Sequence, residues 1–307
     1  MADPSPETRA AGWAPWSGPA LLVLFLLTLV LLPVGPGWSE FWTDPGTRLW
    51  HILVSVQVPL WAAALAWGWR PLFHHDSPWA REKSVWLWPR IHALLFAIAA
   101  CLPIYRSPVA HILAERSKLP YHEGKLLAVT LMGVSVAALQ EWGLLSAHGE
   151  ASNELARLDE TLSRQALTQV VARYLQLRSR VQGFVSWVGA IIGVATLATG
   201  CLRNSVDSPE FPPEFVIVYG LYFTILLALV FLPALYSVQA LGTELARRLS
   251  RPEPLPSESG DWKHWSEEQN ALAGYLGLQQ NPLQVMQSAL SVLAPLVGSV
   301  SGVVLQK

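Results

Sequence analysis

Long apolar runs without a formal charge recur along the 307-residue chain and constrain its fold more than any other feature. Crossing about 30 Å of hydrocarbon takes roughly 17–25 mostly apolar residues in a helix. Six stretches qualify: 18–34, 50–69, 85–105, 126–147, 183–202 and 215–241. The third is the weakest, because Arg90 and His92 leave only Ile91 to Tyr105 free of charge. The first ends at Pro33, Gly35 and Pro36 with no small-residue cleavage site, so it reads as an uncleaved anchor rather than a signal peptide. A seventh run, 283–305, lacks charge but is diluted by Gln284, Gln287, Pro295 and four serines.

Composition agrees. Charged residues make up 14% of the chain against about a quarter in soluble domains. A net charge of −1 excludes a basic nucleic-acid binder, and two cysteines exclude a disulfide scaffold, an all-cysteine zinc site and iron–sulfur ligation. The expected fold class is all-α, a polytopic membrane bundle of about six spans.

Cytoplasmic loops collect Lys and Arg. Six spans with the amino terminus inside place 15 of the 21 basic residues on the inner side. Dropping the third span removes that asymmetry. Both termini are therefore expected in the cytoplasm, in a cell-membrane protein. Tryptophans support the assignment by falling near the two interfaces, with Trp61 alone at mid-span.

The expected organisation is four spans in 1–147, a cytoplasmic amphipathic helix in 148–182, spans five and six in 183–241, a linker in 242–281 and an apolar tail helix in 282–307. The helix, taken from Asn153 to Gln182, carries Leu155, Leu158, Leu162, Ala166, Val170, Tyr174, Leu177 and Val181 at spacings of three and four. It either packs within the protein or mates with a copy of itself or another protein. The linker contains Pro252-Glu253-Pro254-Leu255-Pro256. For the tail, a docked cytoplasmic helix, a marginal seventh span and an inserting or oligomerising segment all remain open.

Small residues mark the faces where helix backbones approach closely. Ser186, Gly189, Gly193, Thr196 and Gly200 share one face of span five. Thr130, Gly133 and Ala137 share one face of span four, and the tail holds Gly298 and Gly302 as G-x-x-x-G. These faces either pack span four on span five, or turn toward other subunits or a water-filled path. Glu141, the only acid inside a span, sits about 22 Å below the outer face near the inner interface. Its expected partner is Arg178 or Arg180, in a structural pair or a proton- or ion-handling site.

Histidines suggest little. His74-His75-Asp76 lacks metal spacing on a helix, and convergence of His51, His111, His122, Glu115 and Glu123 is only a geometric option. Cys101 and Cys201 fall near the outer ends of their spans, as a disulfide or as small buried hydrophobes. No Walker loop, G-x-G-x-x-G, H-E-x-x-H, G-x-S-x-G or C-x-x-C occurs, so no enzyme, catalytic residue, cofactor or metal is expected. The expected partners are the bilayer, further copies of the chain, and a cytoplasmic protein reached through 153–182 or 282–307. The favoured function is a self-associating channel, pore or membrane-perturbing effector. The alternative is a non-conducting sensor or accessory subunit that relays a signal to a partner.

Overall fold

A computed structural model describes residues 14–34, 43, 45–73, 83–105, 121–158, 164–206, 211–250, 259–278 and 282–304. Among them are eight α-helices and no strand: α1 (Ala14–Leu31), α2 (Pro45–Phe73), α3 (Lys83–Tyr105), α4 (His122–Arg157), α5 (Arg164–Val206), α6 (Pro213–Leu249), α7 (Ser259–Tyr275) and α8 (Pro282–Val304). Four helical stretches are long and apolar enough to cross a membrane: Pro45–Gly68, Gly124–Arg157, Leu167–Asn204 and Pro213–Leu249. The apolar stretches of α1, α3 and α8 are shorter, at Gly18–Leu31, Pro89–Cys101 and Ser291–Ser301.

Helices α4, α5 and α6 run for 36, 43 and 37 residues. At 1.5 Å per residue each is about 54–65 Å long, well beyond the hydrocarbon thickness, so each joins an apolar section to a polar extension. The outward face of α6 repeats Val218, Leu221, Ile225, Leu229 and Leu232 at spacings of three and four, all exposed. Leu94, Leu95 and Ile98 on α3 and Leu22, Val23, Leu26 and Leu27 on α1 are exposed as well. Continuous apolar surface of this extent has lipid, not water, as its natural solvent. The inward faces form a main cluster that includes Trp61, Phe96, Leu144, Phe184, Phe223, Leu227 and Leu241, and a second one around Trp50, Val54, Leu202, Phe211 and Val216.

Side-chain bonds fix the directions of the helices. The α4–α5 pair is antiparallel, since Glu150 and Glu154 of α4 meet Arg180 and Arg173 of α5. Lys125 Nζ, at the start of α4, donates to the carbonyls of Leu32 (2.6 Å) and Val34 (2.8 Å) at the end of α1. One end of the bundle therefore gathers charge, and the other gathers the end of α1 with the start of α4.

Three expectations change. The stretch 153–182 is not one free-standing helix: α4 ends at Arg157, Leu158 forms a turn, and α5 resumes at Arg164. Leu162 lies outside the described residues. The stripe itself is buried at Leu158, Val170, Tyr174, Leu177 and Val181, because the extensions of α4 and α5 form a hairpin that covers it. The segment expected as a linker carries α7, whose partly buried side, Trp265, Gln269 and Leu272, is narrow among polar residues. It ends in a Schellman motif: Leu278 N–H bonds Ala273, Gly277 N–H bonds Gly274, and Gly277 takes the required positive φ of 64°. Finally, α8 runs parallel to α5, which places the described chain ends, residues 14 and 304, at opposite ends of the bundle rather than on one side.

Candidate functional site

A cavity of about 140 Å³ opens within the bundle, at the end away from the charged hairpin. Its wall comes from the first halves of α2, α4 and α6 and the last halves of α3 and α5, which the alternating helix directions bring to one level. Trp50, Trp61, Phe96 and Phe223 supply aromatic walls, while Gly133, Ala137, Ala195 and Ala198 leave the space unfilled. Thr130, Gly133 and Ala137, the small face of span four, thus line this cavity rather than a seam with span five. Gly133 also seats Trp61: an added Cβ would lie 3.0 Å from Cζ2 of the indole. Gln57, Thr130, Thr196, Thr199 and Tyr219 carry polar groups, but no Asp, Glu, Lys, Arg or His lines the cavity.

The small face of α5 takes α8 of the same chain. A Cβ added to Gly189 would lie 2.2 Å from the Ser291 carbonyl oxygen, and one on Gly193 3.2 Å from Ala294 Cβ. From the other side, a Cβ on Gly298 would lie 2.3 Å from the Gly193 carbonyl oxygen. Pro295 has no N–H to give the Ser291 carbonyl its helical bond, and this carbonyl is the one turned onto Gly189. Thr196 Oγ1 lies 2.9 Å from the carbonyls of both Gly193 and Pro295, holding the seam with one hydroxyl. On the flank of α6, Gly220 receives the Ser299 side chain. Gly200 is buried on α5, Ser186 is exposed, and Gly302 follows Gly298 by one turn of α8. Helical spacing identified these faces, but it carries no information on which helix they meet.

The expected Glu141–arginine pair is not what the arginines form. Arg180 pairs with Glu150 at 3.6 Å, and Arg178 donates to the Leu276 carbonyl at 2.9 Å. Glu141 is 3% exposed and its Oε2 has no hydrogen-bond partner. The residue before it, Gln140, donates to the Ala64 carbonyl at 3.0 Å and so ties α4 to α2. Four residues beyond Ala137 on α4, Glu141 follows the cavity-lining residues toward the charged end.

At the charged end Glu154 accepts from Arg173, and Arg157 approaches the same carboxylate at 3.9 Å. Tyr174 Oη donates to the Leu276 carbonyl at 2.9 Å, beside the bond from Arg178. That carbonyl belongs to the C-terminal cap of α7, where orphan acceptors and the helix dipole favour a cation. Trp265 Nε1 donates to the Ser250 carbonyl at 2.7 Å, tying the same helix to the end of α6.

Cys101 and Cys201 are free thiols, Cys101 half-buried and Cys201 buried. His74, His75, Asp76, His111 and Glu115 lie outside the described residues. Among the described residues no three His, Cys, Asp or Glu side chains gather as a metal site would require. Sequence reasoning missed Trp61 as a wall of the cavity, although its mid-span position against an interfacial belt was the available signal. It also missed the docking of α7, for which Gly277 and the three-four spacing of Trp265, Gln269, Leu272 and Leu276 were the traces. No family model, curated protein or solved structure matches this chain. What defines it is therefore its own geometry: a helical bundle with four membrane-compatible helices, an apolar cavity at one end and a polar hairpin at the other.

Proposed function

We propose that the protein is a multi-pass membrane sensor or accessory subunit that conducts nothing itself and relays the state of its bilayer-embedded cavity to a partner at its charged end. In this reading α1, α3 and α8 join the four longer helices in crossing the membrane, and the charged end faces the cytoplasm. Residues 1–13 then lie inside and Lys307 outside, which leaves 14 of the 21 basic residues on the inner side. The partner surface is the α4–α5 hairpin with α7, since α8 is taken up by the bundle.

One observation carries the reading. Helix α5 is continuous for 43 residues, lines the cavity between Ile191 and Leu202, and binds the cap of α7 through Tyr174 and Arg178. Seventeen residues, about 25 Å, separate Tyr174 from Ile191, and the helix between them has no proline or break. A tilt or shift of α5 at the cavity therefore reaches Leu276. The self-associating pore drew its support from small faces free to meet other subunits, and on α5 that face holds α8.

Two measurements on the full chain in lipid test the proposal. Proteoliposomes should hold an ion gradient, and amide exchange at Leu276–Leu278 should change when Ala195→Leu fills the cavity. Steady ion flux, or exchange at Leu276–Leu278 indifferent to Ala195→Leu, contradicts the relay; flux restores the pore.

A further inference from the structure

Side-chain contacts match levels between the helices, and one cation then stands deeper than the surface around the bundle accounts for. His148 Nδ1 of α4 lies 2.9 Å from Ser237 Oγ of α6, and Arg90 of α3 stacks over Trp142 of α4, 5.1 Å from the ring centroid. Trp142 precedes His148 by six residues on a helix parallel to α6, so Arg90 stands level with residue 231 of α6. A second route agrees. Tyr222 Oη of α6 donates to the Ala99 carbonyl of α3 at 2.8 Å. Nine residues back along α3, which runs opposite to α6, Arg90 again meets the level of residue 231. On α6 this level is apolar surface: Leu229 and Leu232 are 67% and 58% exposed, and the face ends one turn later at the exposed Tyr236. Tyrosines settle at the membrane–water interface, so Tyr236 marks a boundary about 8 Å beyond Arg90. On α3 the same level carries an exposed guanidinium. The apolar stretch of α3, Pro89–Cys101, is also short, about 20 Å against about 30 Å of hydrocarbon. A short helix thins the bilayer beside it, and an arginine facing lipid draws headgroups and water inward.

We propose that the α3–α4 face is a phospholipid site, where a headgroup phosphate of the inner leaflet is drawn about 8 Å toward the bilayer centre to meet Arg90. Guanidinium and phosphate match as a two-bond fork, and the Trp142 ring holds the cation against the bundle. Ile91, Leu94, Leu95 and Ile98, exposed on the same helix, give the acyl chains their surface. The inference rests on the reading that α3 crosses the membrane with the charged end in the cytoplasm, but not on the relay.

The test places a nitroxide at Leu94→Cys or Leu232→Cys, in the full chain with Cys101 and Cys201 replaced by alanine, in phosphatidylcholine nanodiscs. Depth is read from relaxation by oxygen against a nickel chelate, and headgroup contact from coupling to lipid phosphorus. In a flat leaflet Leu94 would lie about 8 Å deeper than Leu232. A phosphate drawn in at Arg90 makes the two depths equal, with comparable phosphorus coupling. Arg90→Leu should then send Leu94 about 8 Å deeper and leave Leu232 unchanged. A Leu94 label that is deeper while Arg90 is present, or indifferent to Arg90→Leu, overturns the site. A shallow label without phosphorus coupling means that water or another protein reaches Arg90, and overturns it as well. A label at residue 94 outside the lipid altogether contradicts the crossing of α3 on which the proposal rests. Ion flux, or unchanged exchange at Leu276–Leu278, contradicts the relay and leaves the lipid site standing.

Discussion

At the α5–α8 seam a single hydrogen decides whether two backbones can touch. Gly189 has no Cβ, and the Ser291 carbonyl occupies the space one would need. Because the obstacle is backbone rather than a flexible side chain, a larger residue cannot be absorbed by a rotamer change. Gly189→Leu should lower the thermal stability of the purified chain by about 1–3 kcal/mol, the usual penalty for overpacking. Ser186→Leu is the control: it lies on the same nominal stripe but is exposed, and should change stability by less than about 0.5 kcal/mol. Equal effects at the two positions would mean that α8 does not sit where the glycines are. The contrast also marks how far the residue pattern could be read. A three-four repeat of small residues correctly singles out one helical face. Which residues of that face are covered depends on the width and position of the incoming helix, and this is a tertiary fact.

Among the elements, α7 shows how a short, mostly polar helix is held. Its purchase on the bundle is partly apolar, through Leu272, Leu276 and Leu278, and partly polar: the Leu276 carbonyl accepts from Tyr174 and Arg178, and Trp265 reaches the Ser250 carbonyl. Removing one hydroxyl should therefore loosen this helix and little else. Tyr174→Phe is expected to raise amide exchange across residues 262–278 about fivefold, matching one net hydrogen bond, with exchange in α8 unchanged. An unchanged α7 would show that these bonds do not hold it. Such a helix was hard to read from its sequence, because its covered side, Trp265, Gln269, Leu272 and Leu276, is narrow and includes a glutamine. The apolar helices were legible for the converse reason, since length and lack of charge are properties of the segment alone. The hairpin of α4 and α5 falls between these cases. Leu155, Leu158, Val170, Tyr174, Leu177 and Val181 were recognisable as one buried stripe. The turn at Leu158 was hidden, because no glycine or proline marks it and residues on both sides of the turn enter the same core.

On the scale of the whole molecule, the two ends of the bundle do different work. One end encloses an uncharged cavity among small and aromatic residues, while the other ties its helices together through ion pairs and a helix cap. α5 belongs to both ends, and α8 closes its small face so that one chain completes its own packing. That closure separates a self-contained relay from an assembly that needs other subunits, so it is the point to test. An added Cβ at Gly193 falls 3.2 Å from the Cβ of Ala294, and a disulfide needs about 3.5–4.5 Å between these atoms, a few tenths of an ångström away. The measurement is oxidative cross-linking of Gly193→Cys with Ala294→Cys, in a chain whose Cys101 and Cys201 are replaced by alanine, followed by non-reducing electrophoresis and peptide mass. A monomer with residues 193 and 294 joined within one chain is the predicted result; a disulfide-linked dimer, or two thiols that stay free, would contradict the account.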